Sequence, residues 1–106
     1  MTRVKNSNGK IIENRLNGIL AVTRALGDYG VGNGLCSVPD IYWVCKDNIK
    51  GPIVIYSDGL YEMQRQEKSF DKKIYTMAKT NNASALVNYA YENGSDDNIT
   101  AMIIYI

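Results

Sequence analysis

The segment from Ile99 to Ile106 is apolar on both of its alternating faces, with Ile99, Ala101, Ile103 and Tyr105 interleaving with Met102, Ile104 and Ile106. Successive side chains of a strand point to opposite sides, so a strand of this kind requires cover on two sides. It belongs inside a layered fold and not on a wet edge. A chain of 106 residues fits one small domain or a piece of a larger one. Its 45% hydrophobic and 22% charged residues suit an ordered globular protein.

The rest of the chain supplies candidates for the neighbouring layers. Residues 1–17 are polar and carry the turn cluster Asn6 to Gly9, so residues 1–10 are expected to form a flexible polar arm. Ile11 and Ile12 suit a short strand. Ile19 to Thr23 reads as a buried strand that leaves into a mobile loop bearing Gly27, Gly30, Gly32 and Gly34. Ile41 to Cys45 and Ile53 to Tyr56 are short, β-prone and bounded by turn residues, which predicts two further strands. Leu60 to Gln64 can begin a helix with Tyr61 and Met63 toward the core. Phe70, Ile74, Met77 and Ala78 share one helical stripe, with Ser69 placed to cap it. Ala83, Leu86, Val87 and Ala90 form a second stripe between an Asn82 cap and Gly94.

Composition narrows the chemistry. Twelve basic against eleven acidic residues leave a net charge of +1, which provides no general field for nucleic acid or an anionic membrane. No run of about 18 apolar residues exists, and residues 1–18 lack a secretory apolar centre, so an intracellular protein, cytoplasmic or nuclear, is expected. Cys36 and Cys45 form neither a metal-binding pair nor a disulfide framework. The absence of histidine excludes histidine-based nucleophilic catalysis and imidazole metal sites within this chain.

Two carboxylates stand at structural punctuation: Asp58 in Ser57-Asp58-Gly59, and Asp97 in Gly94-Ser95-Asp96-Asp97-Asn98. If the strand at 53–56 pairs with the final strand, both lie near one end of the same sheet. Hard cations such as Mg²⁺ or Mn²⁺ take carboxylate oxygens plus waters, which two aspartates on rigid strand ends can supply. Taken singly, each motif also suits an ordinary turn in which Asp or Asn satisfies nearby backbone N–H groups. Asp96-Asp97-Asn98 does not match a calcium-binding EF-hand loop, which needs oxygen ligands at alternating positions and a central glycine. The glycine-rich loop lacks the third glycine of a dinucleotide fingerprint and the Gly-Lys-Ser/Thr ending of a phosphate loop. The eight tyrosines and Trp43 are scattered without a basic stripe, which favours packing over base stacking.

Order and context add a further reading. The blocks Asn17-Gly18-Ile19-Leu20-Ala21-Val22-Thr23-Arg24-Ala25-Leu26-Gly27-Asp28, Val38-Pro39-Asp40-Ile41, Ile55-Tyr56-Ser57-Asp58-Gly59-Leu60-Tyr61-Glu62 and Gly94-Ser95-Asp96-Asp97-Asn98-Ile99-Thr100 follow one another. This succession resembles the last four signature blocks of type 2C (PPM-type) protein serine/threonine phosphatases, over about residues 9–106. The resemblance implies an α+β fold, part of a two-sheet antiparallel β-sandwich flanked by helices, in which aspartates at one end hold a pair of Mg²⁺ or Mn²⁺ ions. It implies that Asp58 and Asp97 are metal ligands, with Gly59 and Asn98 supporting them. Arg24, Gly27 and Asp28 match a block of mainly structural use, in which the arginine can pair with a carboxylate. Tyr61 stands where the family often has tryptophan.

In that family the ions polarise phosphate oxygens and activate a bridging water that attacks phosphorus directly. The substrate implied is a phosphoserine or phosphothreonine protein. The family's first half carries an acidic ligand, a phosphate-binding arginine and an Asp-Gly-His-Gly block, none of which is present here. The expectation is therefore a partial domain over residues 1–106 with its N-terminal half missing. No catalytic nucleophile or acid comes from this chain, metal binding by it alone should be weak or absent, and activity requires a partner or segment that completes the sandwich. A non-catalytic, phosphatase-like binding module is the alternative.

Overall fold

A computed structural model describes residues 1–106, which form two compact units, Met1–Trp43 and Val44–Ile106. The first unit begins with the helix α1 (Thr2–Asn6), followed by β1 (Ile11–Ile12) and β2 (Arg15–Leu16), an antiparallel pair joined through Glu13 and Asn14. Residues 1–10, expected as a polar arm, thus include a helical turn whose Val4 is buried. Val4 and Leu16 are the only buried hydrophobic side chains of this unit.

Polar contacts do much of the work that apolar packing does elsewhere. The Arg3 guanidinium donates to the carbonyls of Gly34 at 2.9 Å and Thr23 at 2.7 Å. Asn17, in the left-handed region at φ 52°, donates through Nδ2 to the carbonyls of Val31 and Asn33 and accepts through Oδ1 from the Lys10 N–H. The glycine-rich loop, expected as a mobile connection, is therefore clamped from two side chains and contains a 3₁₀ turn at Tyr29–Val31. Close approach of two backbones explains one glycine pair: a Cβ on Gly9 would lie 2.8 Å from the Gly34 Cα, and one on Gly34 would lie 2.9 Å from the Gly9 Cα.

Two expected strands do not form. Ile19 to Thr23 contributes only an isolated bridge, Leu16 to Leu20, and the next bridge joins Arg24 to Cys36. The positive φ values of Asn17 and Gly18 turn the chain immediately before the run, and Ile19 and Val22 are left exposed. Ile41 to Cys45 is exposed and carries no ladder. β-Propensity expresses fit to a paired surface, and no strand lies alongside to satisfy its backbone groups.

The second unit has a continuous apolar centre. It comprises β3 (Ile53–Tyr56), α2 (Asp58–Tyr61) running into a 3₁₀ turn (Glu62–Arg65), α3 (Phe70–Thr80), α4 (Ala83–Glu92) and β4 (Ala101–Ile104). β3 and β4 pair antiparallel, with Ile53 opposite Ile104 and Tyr56 opposite Ala101. Leu60, Met63, Phe70, Ile74, Leu86 and Ala90 make the core, and Val54, Tyr56, Ile99, Ala101 and Ile103 pack on it from the ribbon side. Both predicted helical stripes face this core. Asn82 caps α4 by accepting from the Ala85 N–H at 3.2 Å, and Gly94 follows the helix at φ 93°. Ser69 occupies the cap position of α3, but its side chain makes no capping bond. Met63 is buried as expected, whereas Tyr61 is half exposed and sets its ring edge-on to Phe70.

The fold is thus α+β with two small antiparallel sheets and helices. The expected two-sided burial of the final strand is met on one side only. Ala101 and Ile103 face the core, while Met102, at 56% exposure, and Ile104 join Ile53 and Ile55 on an open apolar face.

Candidate functional site

Asp58 begins α2 one residue beyond the end of β3, with Ser57 between them, and Asp97 lies in the turn between α4 and β4. Antiparallel pairing sets the end of β3 beside the start of β4, so the two turns adjoin. Both residues that flank Asp58 touch the residue after Asp97. Ser57 Oγ donates to the Asn98 carbonyl at 3.3 Å, and a Cβ placed on Gly59 would lie 2.2 Å from that same oxygen. Gly59 is buried in an ordinary helical conformation, so what requires glycine there is space for the passing backbone.

Further bonds fix the junction. The Ser57 N–H donates to the Thr100 carbonyl and the Thr100 N–H donates to Ser57 Oγ, both at 3.0 Å. Ser95 Oγ donates to the Gly59 carbonyl at 2.7 Å, with a Glu62 carboxylate oxygen 3.4 Å away. The Ser95 N–H closes the end of α4 by donating to the Ala90 carbonyl. Asp97 Oδ1 accepts from the Asn98 N–H at 2.7 Å. Asp58, Asp97 and Asn98 are all exposed.

No basic side chain neutralises either aspartate, since the ion pairs of the chain are Arg24 with Asp40 and Lys73 with Glu67. Two unpaired carboxylates on adjoining turns suit a hard divalent cation that keeps several waters. The donor set is too small for an all-protein cage, and no group of three or more His, Cys, Asp or Glu side chains is gathered anywhere in the chain. Next to the junction, burial pushes the Tyr56 phenol above its ordinary range, with the Asp71 charge adding to the effect.

The remaining sequence-selected residues belong to the first unit. Arg24 pairs with Asp40 through Nη1 and Oδ2. The hydrogen bond from Arg24, then its charge, holds the Asp40 carboxyl below the usual range and raises the guanidinium in turn. Gly27, at φ 89°, has open space around its Cα, and Asp28 is itself left-handed at φ 55° before the 3₁₀ turn. Gly27 and Asp28 thus occupy left-handed positions of the loop, and Arg24 makes an exposed ion pair. Sequence reasoning passed over Ser57 and Ser95, the hydroxyls that tie the two turns together. The available signal was a serine directly before Asp58 and another two residues before Asp97.

Comparison with known proteins bears on the same residues. The sequence model of the family described as protein phosphatase 2C matches residues 1–99. The chain is 33% identical over 107 residues to protein phosphatase 2C homolog 1 of Saccharomyces cerevisiae, covering 100% of this chain and 38% of that protein. It is 31% identical to protein phosphatase 2C homolog 1 of Schizosaccharomyces pombe, covering 96% of this chain and 30% of that protein. The integrin-linked kinase-associated serine/threonine phosphatase 2C of Homo sapiens is 30% identical, with 98% of this chain and 31% of that protein covered. The chain therefore spans about a third of the length of these relatives. With the match running through both aspartate-bearing turns, the chain belongs to the protein phosphatase 2C family.

Proposed function

We propose that this chain contributes the Asp58 and Asp97 rim of a divalent-cation site in a protein serine/threonine phosphatase that acts on phosphoserine and phosphothreonine in proteins. The observation that carries the reading is the seating of both neighbours of Asp58 against the carbonyl that follows Asp97. Family membership and the serine/threonine phosphatase named among the relatives support it. Asp58 and Asp97 provide anionic oxygens, Gly59 lets the turns approach, and Asn98 fixes one oxygen of Asp97 through its backbone N–H. Asp58 and Asp97 would hold Mg²⁺ or Mn²⁺, which would supply Lewis-acid activation of the phosphate ester and of water. No side chain of this chain serves as nucleophile or proton donor, so the 106 residues alone are expected to be inactive and to bind metal weakly.

The test measures Mn²⁺ binding and phosphate release from a phosphothreonine peptide. Weak Mn²⁺ binding lost in Asp58→Asn, with no turnover by the chain alone, is the expected result. Mn²⁺-dependent turnover abolished by Asp58→Ala would overturn the statement that these residues are insufficient for catalysis, and absence of Mn²⁺ binding would overturn the site itself.

A second reading, a non-catalytic binding module, rests on the open face of Ile53, Ile55, Met102 and Ile104. Contiguous exposed apolar surface marks contact sites. Sedimentation of the chain and of Ile55→Lys distinguishes the two: association abolished by the lysine favours a contact face, and a monomer in both cases removes the support for it.

A further inference from the structure

Two serine hydroxyls bridge the aspartate-bearing turns from opposite sides. Ser57 Oγ accepts from the Thr100 N–H and donates to the Asn98 carbonyl, linking residues 41 and 43 positions apart. Ser95 Oγ reaches back 36 positions to the Gly59 carbonyl. Each serine thus stands on one turn and bonds to the other. Together they grip the residue on each side of Asp58 and the segment on each side of Asp97. Ser57 and Ser95 are half-buried residues, whereas Asp58 and Asp97 are exposed. Fixing the backbone beneath two carboxylates matters most when both must meet one ion, because partners of metal ligands restrict orientation before the ion arrives.

We propose that Ser57 and Ser95 are positioning residues that preset the spacing of Asp58 and Asp97 for a divalent cation, an inference that rests on the cation site proposed above. Neither serine is a ligand in this scheme. Their hydroxyls act through the backbone carbonyls and N–H groups they hold.

The test uses the full 106-residue chain with Mn²⁺ alone as probe, following the free-ion electron paramagnetic resonance signal during titration. Asp58→Asn and Asp97→Asn report on the cation site. Ser57→Ala and Ser95→Ala report on positioning, with the Thr variants as hydroxyl-retaining rescues and Asn82→Ala as a comparably destabilised control remote from the two turns. Loss of a partner of this kind typically weakens metal binding by about tenfold or more. The expected result is that both Asn variants lose binding and each Ser→Ala weakens it about tenfold. A Thr replacement should recover affinity, and Asn82→Ala should bind as the parent does. If the aspartate variants lose Mn²⁺ while the alanine variants bind like the parent, positioning is overturned and the cation site stands. If Asn82→Ala weakens binding as much as Ser→Ala does, the effect is general destabilisation and the inference falls. If the parent chain binds no Mn²⁺, both readings fall together.

Discussion

The two units reach order by different means. Val44–Ile106 is organised around Leu60, Met63, Phe70, Ile74, Leu86 and Ala90, a core supplied by α2 with its 3₁₀ turn, α3 and α4 and covered by the β3–β4 ribbon. Met1–Trp43 buries Val4 and Leu16, and its shape depends on the Arg3 and Asn17 side chains reaching backbone carbonyls. All five non-glycine residues with positive φ (Asn8, Glu13, Asn14, Asn17 and Asp28) lie in this first unit. Apolar packing is nondirectional and tolerates variation, whereas a clamp of hydrogen bonds fails when one side chain is removed.

The sharpest way to break this contrast is to cut each unit at a fully buried leucine. Leu86→Ala in the second unit should cost about 3–4 kcal/mol, the range for a leucine whose cavity is walled on all sides by core. Leu16→Ala should cost less, because few buried neighbours surround it and the site can collapse. Residue-resolved hydrogen exchange separates the two. Equal losses would show that the first unit has a packed centre after all.

Gly59→Ala comes next. Its new methyl group would occupy space 2.2 Å from the Asn98 carbonyl oxygen, so one turn must move. Overpacking of this kind costs about 1–3 kcal/mol. Gly94→Ala, with nothing within 4 Å but φ at 93°, should cost about 1 kcal/mol through backbone strain alone. Denaturant midpoints give the stability order, and Mn²⁺ titration adds the site: only the Gly59 change should impair cation binding, and impairment by Gly94→Ala would detach the effect from the junction.

In the first unit, Asn17→Ala removes two donated bonds and one accepted bond and leaves a residue poorly suited to φ 52°. A loss of about 2 kcal/mol is expected. Asn17→Gly keeps the backbone conformation accessible and isolates the side-chain share. Amide exchange in residues 28–34 should rise in both variants. Unchanged protection in Asn17→Gly would show that the loop does not depend on the clamp.

The same contrast explains what was legible in the sequence. The stripes Phe70, Ile74, Ala78 and Leu86, Ala90 announced α3 and α4 because helical periodicity is a record of which face packs. Asp58 and Asp97 stood out because each stands at the end of a structural element before a small or turn-forming residue, and the pairing of β3 with β4 sets the two turns side by side. The Ile19–Thr23 and Ile41–Cys45 runs misled because a β-prone run specifies a strand only when another strand is beside it. The Asn17 and Arg3 clamps leave no periodic trace, since a single polar side chain reaching a distant carbonyl has no local pattern. Ser57 and Ser95 were hidden for the same reason: their bonds span 36 to 43 positions.

The smallest effect expected concerns the Arg24–Asp40 pair, which the family resemblance anticipated as an arginine with a carboxylate partner. Both side chains are exposed, so solvent screens them and the contribution to stability is slight. The sign is nonetheless determined. Asp40 is held below the ordinary carboxylate range in the folded chain, so its contribution is present above the unfolded pKa and is lost as pH falls through the folded value. Arg24 stays charged across that window, its own pKa being raised further. Asp40→Asn should therefore remove a small, salt-sensitive part of the acid dependence of the first unit and leave the second unit's exchange rates unchanged. Nuclear magnetic resonance titration of the Asp40 carboxyl, with and without Arg24→Gln, checks the cause directly. A midpoint that stays low in the Arg24→Gln chain would assign the shift to something other than this pair, and an effect on the second unit would show that the division between the two modes of stabilisation is not local.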